Sequence, residues 1–543
     1  KIIMKSLAEI DLGYGDATNY RKNKRMAQMF NEIFVKDRNL ERLLQEDSFF
    51  LIGEKGTGKT AYATFLENRE YKNTVTKVYE ISSTDFQIFL RLQKSGYLQL
   101  SDFTKVWEII LLMLMASEIN KRDIDEFGPK RSEKLYALKA SIEDYYEEAF
   151  IPEISNTFKY ILDNTDSIEA RVKSEILSSS AQINAQMIDK ISQESAIRKF
   201  QNNLLDLKKD FESAFQRLKI NKNRFIILDS VDINLSDFTT KEYEECLRAL
   251  ANAIWSVNTT VFRNMPESSK GFLKIVFSVR PDIFSKLNLH NQANKVRDNG
   301  IVLDWRTTYE SFEKSLLYKL CNRLLSYDNP GLDENEYWNY YFPWYTMSTK
   351  PTSRDKDFSF INCLRLSLSR PRDMISIMKA IQRTSEKNEH SLSELEDFQD
   401  NATQNEISNY YVEEARDWCL YKFSGKEFES LLFFFQFLNG RSRFSYTDYE
   451  IAFNNYIEQI CNREMDLFNE MDNKDDFLQL LYDLNMICYY DKDKNGNDLY
   501  RFCYREREIY NLAPKVKTGV IYGVHYALLK SLNLGKNSLE NDF

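Results

Sequence analysis

Eight residues, Gly53-Glu-Lys-Gly-Thr-Gly-Lys59-Thr60, fit G-x-x-x-x-G-K-[ST] completely, between the apolar run Phe49 to Ile52 and an amphipathic stretch that begins at Thr60. That order reads as strand, phosphate loop and helix. Gly56 and Gly58 let successive backbone N–H groups converge on phosphate oxygens with no Cβ in the way, and a helix N-terminus adds partial positive charge. Lys59 would reach the β- and γ-phosphates of a nucleotide, and the Thr60 hydroxyl would bind Mg²⁺. By chance the pattern arises in roughly one chain in fifty of this size, so the flanking strand and helix carry as much weight as the motif. Gly53, Glu54, Lys55, Gly56, Thr57, Gly58, Lys59, Thr60 and Ala61 are the candidate contacts, with ATP and Mg²⁺ as cofactors.

Further apolar runs, TKVYEIS (76–82), RFIILD (224–229), LKIVFSV (273–279) and GIVLDW (300–305), are long enough for buried parallel strands, so the spacing predicts an α/β core. About 140 residues separate the second strand from the third, where a crossover needs only about a dozen. Segments 101–120, 131–150 and 196–218 carry a 3.6-residue apolar period, so the intervening stretch reads as a helical insertion, with 174–193 polar and unassigned. After Trp305 the pattern is helical again around 311–327 and 370–386; the aromatic loop YWNYYFPWY (337–345) reads as packing. Residues 475–508 read as a helix, a strand, an Asn-Gly turn and a second strand, the order of a last helix and wing.

The strand FIILDSVDIN places Asp229 after four apolar residues, where an acid can hold magnesium through water; a strand-end cap is the bland alternative. Asp232 could activate the attacking water or equally cap a turn. Ser230 is too weak a base and at most positions water. On the next strand Ser278 and Arg280 lie where either could sense a γ-phosphate. Arg370 and Arg372, flanking Pro371 at a helix start, could reach across from a lid.

The whole chain has 543 residues, too many for one core, and 14% aromatics with few Gly (16) and Pro (9), which suits long helices and argues against disorder. A net charge of -9 excludes a global polyanion binder, so nucleic acid would need a local basic patch. Seven cysteines with no C-x-x-C pair fit reduced thiols in the cytoplasm and predict neither disulfides nor zinc. The longest apolar run, IILLMLMA (109–116), is far short of a membrane span. No basic-then-apolar leader opens the sequence as numbered, and because residue 1 is Lys and not Met, a leader ahead of it stays open.

The phosphate loop, FIILDSVD, SVRPDIF (278–284), VLDW (302–305) and SRPRD (369–373) together resemble bacterial P-loop ATPases of the AAA-like and STAND-like group, related to initiator and KAP-type ATPases and often found in antiviral-defence loci. The opening IDLGYGDA (10–17) is similar to that family's first motif, where such proteins hold adenine. The resemblance implies an ASCE-type NTPase core whose Asp229 strand lies beside the phosphate-loop strand, a helical lid and a C-terminal winged-helix-like domain. It implies Arg280 as a first sensor and Arg372, or Arg370, as a second. The expected division is 1–90 and 221–306 for the core, 91–220 for the insertion, 307–400 for the lid and 401–543 for the winged helix. Many relatives carry an acid where this chain has Ser230, which puts the hydrolysis rate in doubt more than binding.

Three functions compete: a slow or partner-stimulated ATPase gating a defence complex as a homo-oligomer or with a protein effector, a nucleotide-dependent DNA-binding switch of the initiator type, and a scaffold that only holds ATP. Residues 481–543 carry nine Lys/Arg against eight Asp/Glu, which favours protein contact over DNA. Arg501, Arg505 and Arg507, expected on the second wing strand, keep nucleic acid open.

Overall fold

The structure is a computed structural model that describes residues 4–21, 23–80, 103–148, 205–206, 208–229, 240–347, 356–419, 423–462, 473–492, 494, 496 and 498–535. Asp232 and the polar stretch 174–193 lie outside the described residues. The chain forms two compact units that interleave along the sequence, one of Lys1–Asp37, Gly53–Ala61 and Val302–Phe543, the other of Arg38–Ile52 and Tyr62–Ile301.

The second unit is built on a sheet of β1 (Phe50–Ile52), β2 (Thr74–Glu80), β3 (Asn223–Asp229), β4 (Leu273–Val279) and β5 (Gly300–Val302), in the order β2-β3-β4-β1-β5. The pairs β2 with β3, β3 with β4, and β4 with β1 are parallel. All seven residues of β4 are buried, as expected of a parallel strand covered on both faces. This order corrects one expectation. β4, which carries Ser278, lies between the Asp229 strand and the phosphate-loop strand, so β3 and β1 are not neighbours. Apolar runs specify that a strand is buried but not which buried strand it pairs with, since parallel pairing is fixed by non-local packing.

Parallel pairing brings the carboxyl ends of β1, β3 and β4 to one edge, with Glu80 opposite Asp229 and Val279 opposite Ile52. Ligands of open α/β sheets bind at that edge. Helix α1 (Lys59–Glu67) begins a few residues beyond β1. Helix α2 (Phe103–Glu118) contains the apolar run 109–116, wholly buried, and packs on α3 (Thr240–Ser256). After α3 the chain makes a π turn, Val257–Val261, in which the Asn258 amide accepts from Ile275 N (3.0 Å) and donates to Ile275 O (2.8 Å), tying this turn to β4. β5 stops at Val302, short of the expected GIVLDW, because Asp304 bonds Arg306 and Trp305 turns away to the phosphate loop.

In the first unit, α4 (Leu316–Ser326) and α5 (Pro371–Lys387) flank the aromatic segment 337–345, where Trp338 and Tyr341 are fully buried. α5 has Pro371 at its first turn, where a missing N–H costs nothing. A two-stranded ribbon pairs β6 (Tyr345–Met347) with β7 (Lys356–Phe358). α6 (Asn401–Cys419) leads to the C-terminal part: α7 (Gly425–Phe433), β8 (Arg443–Ser445), α8 (Tyr446–Asn462), α9 (Lys474–Asp483), β9 (Ile487–Lys492), β10 (Asp498–Phe502) and β11 (Ile521–Val524). Its antiparallel sheet runs β10-β9-β11-β8. Ser424 and Glu427 form a capping box on α7, and Asn473 caps α9. Phe434, Tyr456 and Phe477 meet ring to ring in its core at 5.0–5.8 Å, which accounts for the aromatic richness of this stretch. The chain is thus α/β, a P-loop core with a parallel sheet, followed by helices and a winged-helix-like domain. No helix among the described residues is long and apolar enough to cross a membrane.

Candidate functional site

The phosphate loop adopts the backbone its glycines permit: Gly56 has φ +84° and Gly58 φ +96°, both left-handed. A Cβ on Gly56 would also meet Arg372 Cβ at 3.3 Å. Lys59 Nζ donates to Gly53 O at 2.8 Å and Glu54 O at 3.3 Å, and the Thr57 hydroxyl donates to Glu54 O at 2.8 Å. Thr60 and Ala61 lie in the first turn of α1.

Two side chains and one backbone N–H remote in sequence hold this loop. Trp305 Nε1 donates to Thr57 O at 2.8 Å, Arg370 Nη1 to Lys55 O at 2.8 Å, and Arg372 N to Gly56 O at 3.4 Å. Lys55 Nζ pairs with Asp417 and lies 3.9 Å from Glu414, while Glu54 pairs with Arg507.

The two arginines of SRPRD differ in surroundings. Arg370 is buried, and its Nε and Nη2 grip the fully buried Asp373 at 2.7–3.0 Å. Tyr410 donates to the same carboxylate at 2.8 Å. The ion pairs to Asp373 and Glu414 outweigh burial and hold the Arg370 guanidinium well above its ordinary range. Arg370 is thereby fastened between loop and lid. Arg372 keeps a quarter of its side chain exposed, donates from Nε to Gly15 O at 3.2 Å and lies 3.3 Å from Glu414. It joins the opening motif to the phosphate loop, and Gln382 on the same helix donates to Leu7 O and Ile10 O.

In the sheet unit Asp229 is 1% exposed. Its Oδ1 accepts from the Ser278 hydroxyl at 2.7 Å, and its buried Oδ2 has no hydrogen-bond partner among the described residues. A buried carboxylate oxygen left unpaired is costly, and a hard cation held through water would satisfy it. The donor set therefore fits Mg²⁺. Arg280, just past β4, forms a buried fork from its Nε and Nη2 with Asp282 at 3.0 and 2.7 Å. Ser278, on β4, is in hydrogen-bond contact with the acid.

Two of the wing arginines need correction. β10 ends at Phe502, so Arg505 and Arg507 lie beyond the second wing strand, where a short helix, Cys503–Glu506, turns the chain back. Arg505 Nε donates to the Tyr504 hydroxyl, and Arg507 points to Glu54. Arg501, which is on β10, lies 3.6 Å from Asp491.

Sequence reading missed Trp305 Nε1, Glu414, Asp417 and Arg507 as neighbours of the loop. Only Trp305 gave a signal, as part of VLDW.

Close by, His525 is buried, with its ring 5.0 Å from Phe502 and 5.7 Å from Tyr411. Burial, opposed by Asp373 and aided by Arg505 and Arg370, pushes its imidazole down from 6.5 to about 3. The unfolded chain takes up this proton below its ordinary value while the folded chain does not, so the stability contribution is full above 6.5 and falls as pH drops toward 3. Lowering the pH from about 7.5 to about 5.5 is expected to cost about 1.4 kcal/mol through this group. His390, raised by its bond to Asp397, acts in the opposite sense. Urea unfolding of wild type beside His525→Gln isolates the effect, because the variant should lose this acid sensitivity.

A complete phosphate loop on β1, an acid ending β3 and, between them, a buried strand that carries Ser278 near its end define a P-loop NTPase fold of the ASCE order. No family model and no curated protein matches the chain. Among solved structures it is similar to the ORC1 protein of Aeropyrum pernix in complex with DNA, at 9% identity over 93% of this chain and 94% of that one, with a TM-score of 0.32. It is likewise similar to the Aeropyrum pernix ORC2 protein in its ADPNP-ADP complexes, at 11% identity over 94% and 97%, with a TM-score of 0.28. Strand order and loop geometry define the fold.

Proposed function

We infer that the protein binds ATP with Mg²⁺ and hydrolyses it slowly, its turnover governed by a protein partner or by further copies of itself. The observation that carries this reading is the left-handed backbone at Gly56 and Gly58, a conformation in which successive N–H groups can converge on an anion, in the loop that Lys59 closes through Gly53 O. Lys59 would exchange its two loop carbonyls for phosphate oxygens, and the Thr60 hydroxyl and Asp229 would hold the metal. Mg²⁺, when bound, would neutralise charge developing on the phosphate oxygens. Ser278 orients Asp229, Arg372 serves as the lid's sensor, and Asp232 positions the attacking water in the place Ser230 cannot fill.

Support for a protein partner over DNA comes from the wing. Lys492 pairs with Asp498, Lys517 with Asp491, and Lys474 with Glu450, while α9 begins with Asp475 and Asp476. A helix entering the major groove with two acids in its first turn would meet phosphate repulsion. The likeness of the motifs to ATPases of antiviral-defence loci makes a defence effector the partner class we favour. The test is phosphate release with Mg²⁺ and with chelator, alone and with duplex DNA, alongside mass measured with and without ATP. Metal-dependent release indifferent to DNA fits this reading; release stimulated by DNA would favour the initiator-type switch, and no ATP binding at millimolar nucleotide would sink both.

A further inference from the structure

Glu54 and Lys55 are the two residues between the first glycines of the phosphate loop, and neither side chain points idly to solvent. Lys55 is held from α6 by Asp417 and Glu414. Glu54 is held from the far end of the chain, where Arg507 Nη1 meets Glu54 Oε1 at 2.5 Å with side chains only 6% and 15% exposed. The segment that presents Arg507 is braced on both sides: Arg306 Nη1 donates to Arg505 O, and Arg306 Nη2 lies 3.3 Å from Glu508. Arg507 N donates to Cys503 O, closing the turn that follows β10. The turn after the wing is thereby fastened to the loop that would cradle phosphate.

The seam between them is bordered by a cavity that Glu54 and Lys55 share with Tyr411 and Glu414 of α6 and with Asn485. The buried Tyr411 hydroxyl has no hydrogen-bond partner among the described residues. Native interiors rarely leave such groups unpaired, and where they do the seam is a place that can open. A desolvated ion pair across such a seam fixes geometry more than it adds stability.

We propose that Arg507 is a positioning residue of the phosphate loop: through Glu54 it holds the loop in its phosphate-ready shape and so couples nucleotide occupancy to docking of the winged-helix domain. The proposal rests on the nucleotide reading above and adds its regulation. Coupling of this kind is reciprocal, so nucleotide must steady the turn as much as the turn steadies the nucleotide.

The experiment uses the full chain and a fluorescent ADP. Its release is timed by stopped flow in wild type, Arg507→Gln, Glu54→Gln, the double variant and Arg507→Lys. Hydrogen exchange over residues 503–511 is followed with and without ADP. Release is expected to be about tenfold faster in each Gln variant, no faster in the double variant than in either single one, and largely restored in Arg507→Lys. ADP should slow exchange of the turn in wild type and not in Arg507→Gln. Release within twofold of wild type in Glu54→Gln, or additive effects in the double variant, would overturn the proposal. Should Arg507→Gln fail to fold, Glu54→Gln and Arg507→Lys decide it. Failure of wild type to bind ADP would instead overturn the nucleotide reading, so the two outcomes are separable.

Discussion

Replacing Lys59 with alanine is expected to abolish ATP turnover and to weaken nucleotide binding by about tenfold to a hundredfold. In the free loop the ammonium is satisfied by Gly53 O and Glu54 O, at 2.8 and 3.3 Å. Both acceptors are neutral carbonyls, whereas a phosphate oxygen is charged, and a hydrogen bond to a charged group contributes about 1.5–3 kcal/mol. The exchange is therefore downhill when nucleotide arrives. The same charge matters more in the transition state, where loss of one well-placed donor typically costs about 10²–10³ in rate. Alanine suits the first turn of α1, so the unliganded fold should survive, and an unchanged melting temperature without nucleotide is the control. Calorimetric titration of ATP and phosphate release read the two effects; wild-type turnover in Lys59→Ala would remove the loop from catalysis.

The loop was legible because everything that defines it is local. Strand, glycines, lysine and helix start lie within the twenty residues 48–67, and the left-handed angles follow from glycine at 56 and 58. Buried strands β3 and β4 were legible from uninterrupted apolar runs, and the wing from its Asn-Gly turn. The order of strands was not, since β4 enters between β3 and β1 through packing that joins residues more than two hundred positions apart. Direction was equally hidden. SRPRD announced two arginines at a helix start, but only the fold shows that Arg370 grips Asp373 while Arg372 reaches Gly15 and Glu414. The Glu54 to Arg507 pair spans 453 positions and leaves no pattern in either segment. Such contacts depend on where two units of secondary structure meet, which periodicity does not encode.

Replacing Asp229 with asparagine is expected to separate binding from turnover. The two side chains have the same shape, and Oδ1 can still accept from Ser278, which now donates at 2.7 Å. What changes is Oδ2, a buried carboxylate oxygen without a hydrogen-bond partner among the described residues, which becomes a neutral amide. If that oxygen were merely a strand-end cap, removing an unpaired buried charge would raise stability by about 1–3 kcal/mol and leave chemistry untouched. If it holds the metal, the variant gains the same stability without ligand and loses the metal's electrostatic contribution, so turnover should fall by about 10²–10³. The distinguishing signature is metal dependence. Wild type should bind ATP more tightly with Mg²⁺ than with chelator, whereas Asp229→Asn should bind it equally in both, because the link between metal and protein is gone. Asp232→Asn, at a residue proposed to act on water alone, should slow turnover while preserving the wild-type response to Mg²⁺. A stabilised Asp229→Asn variant with wild-type turnover would return the acid to a structural role and leave the chain a protein that holds ATP without using this carboxylate.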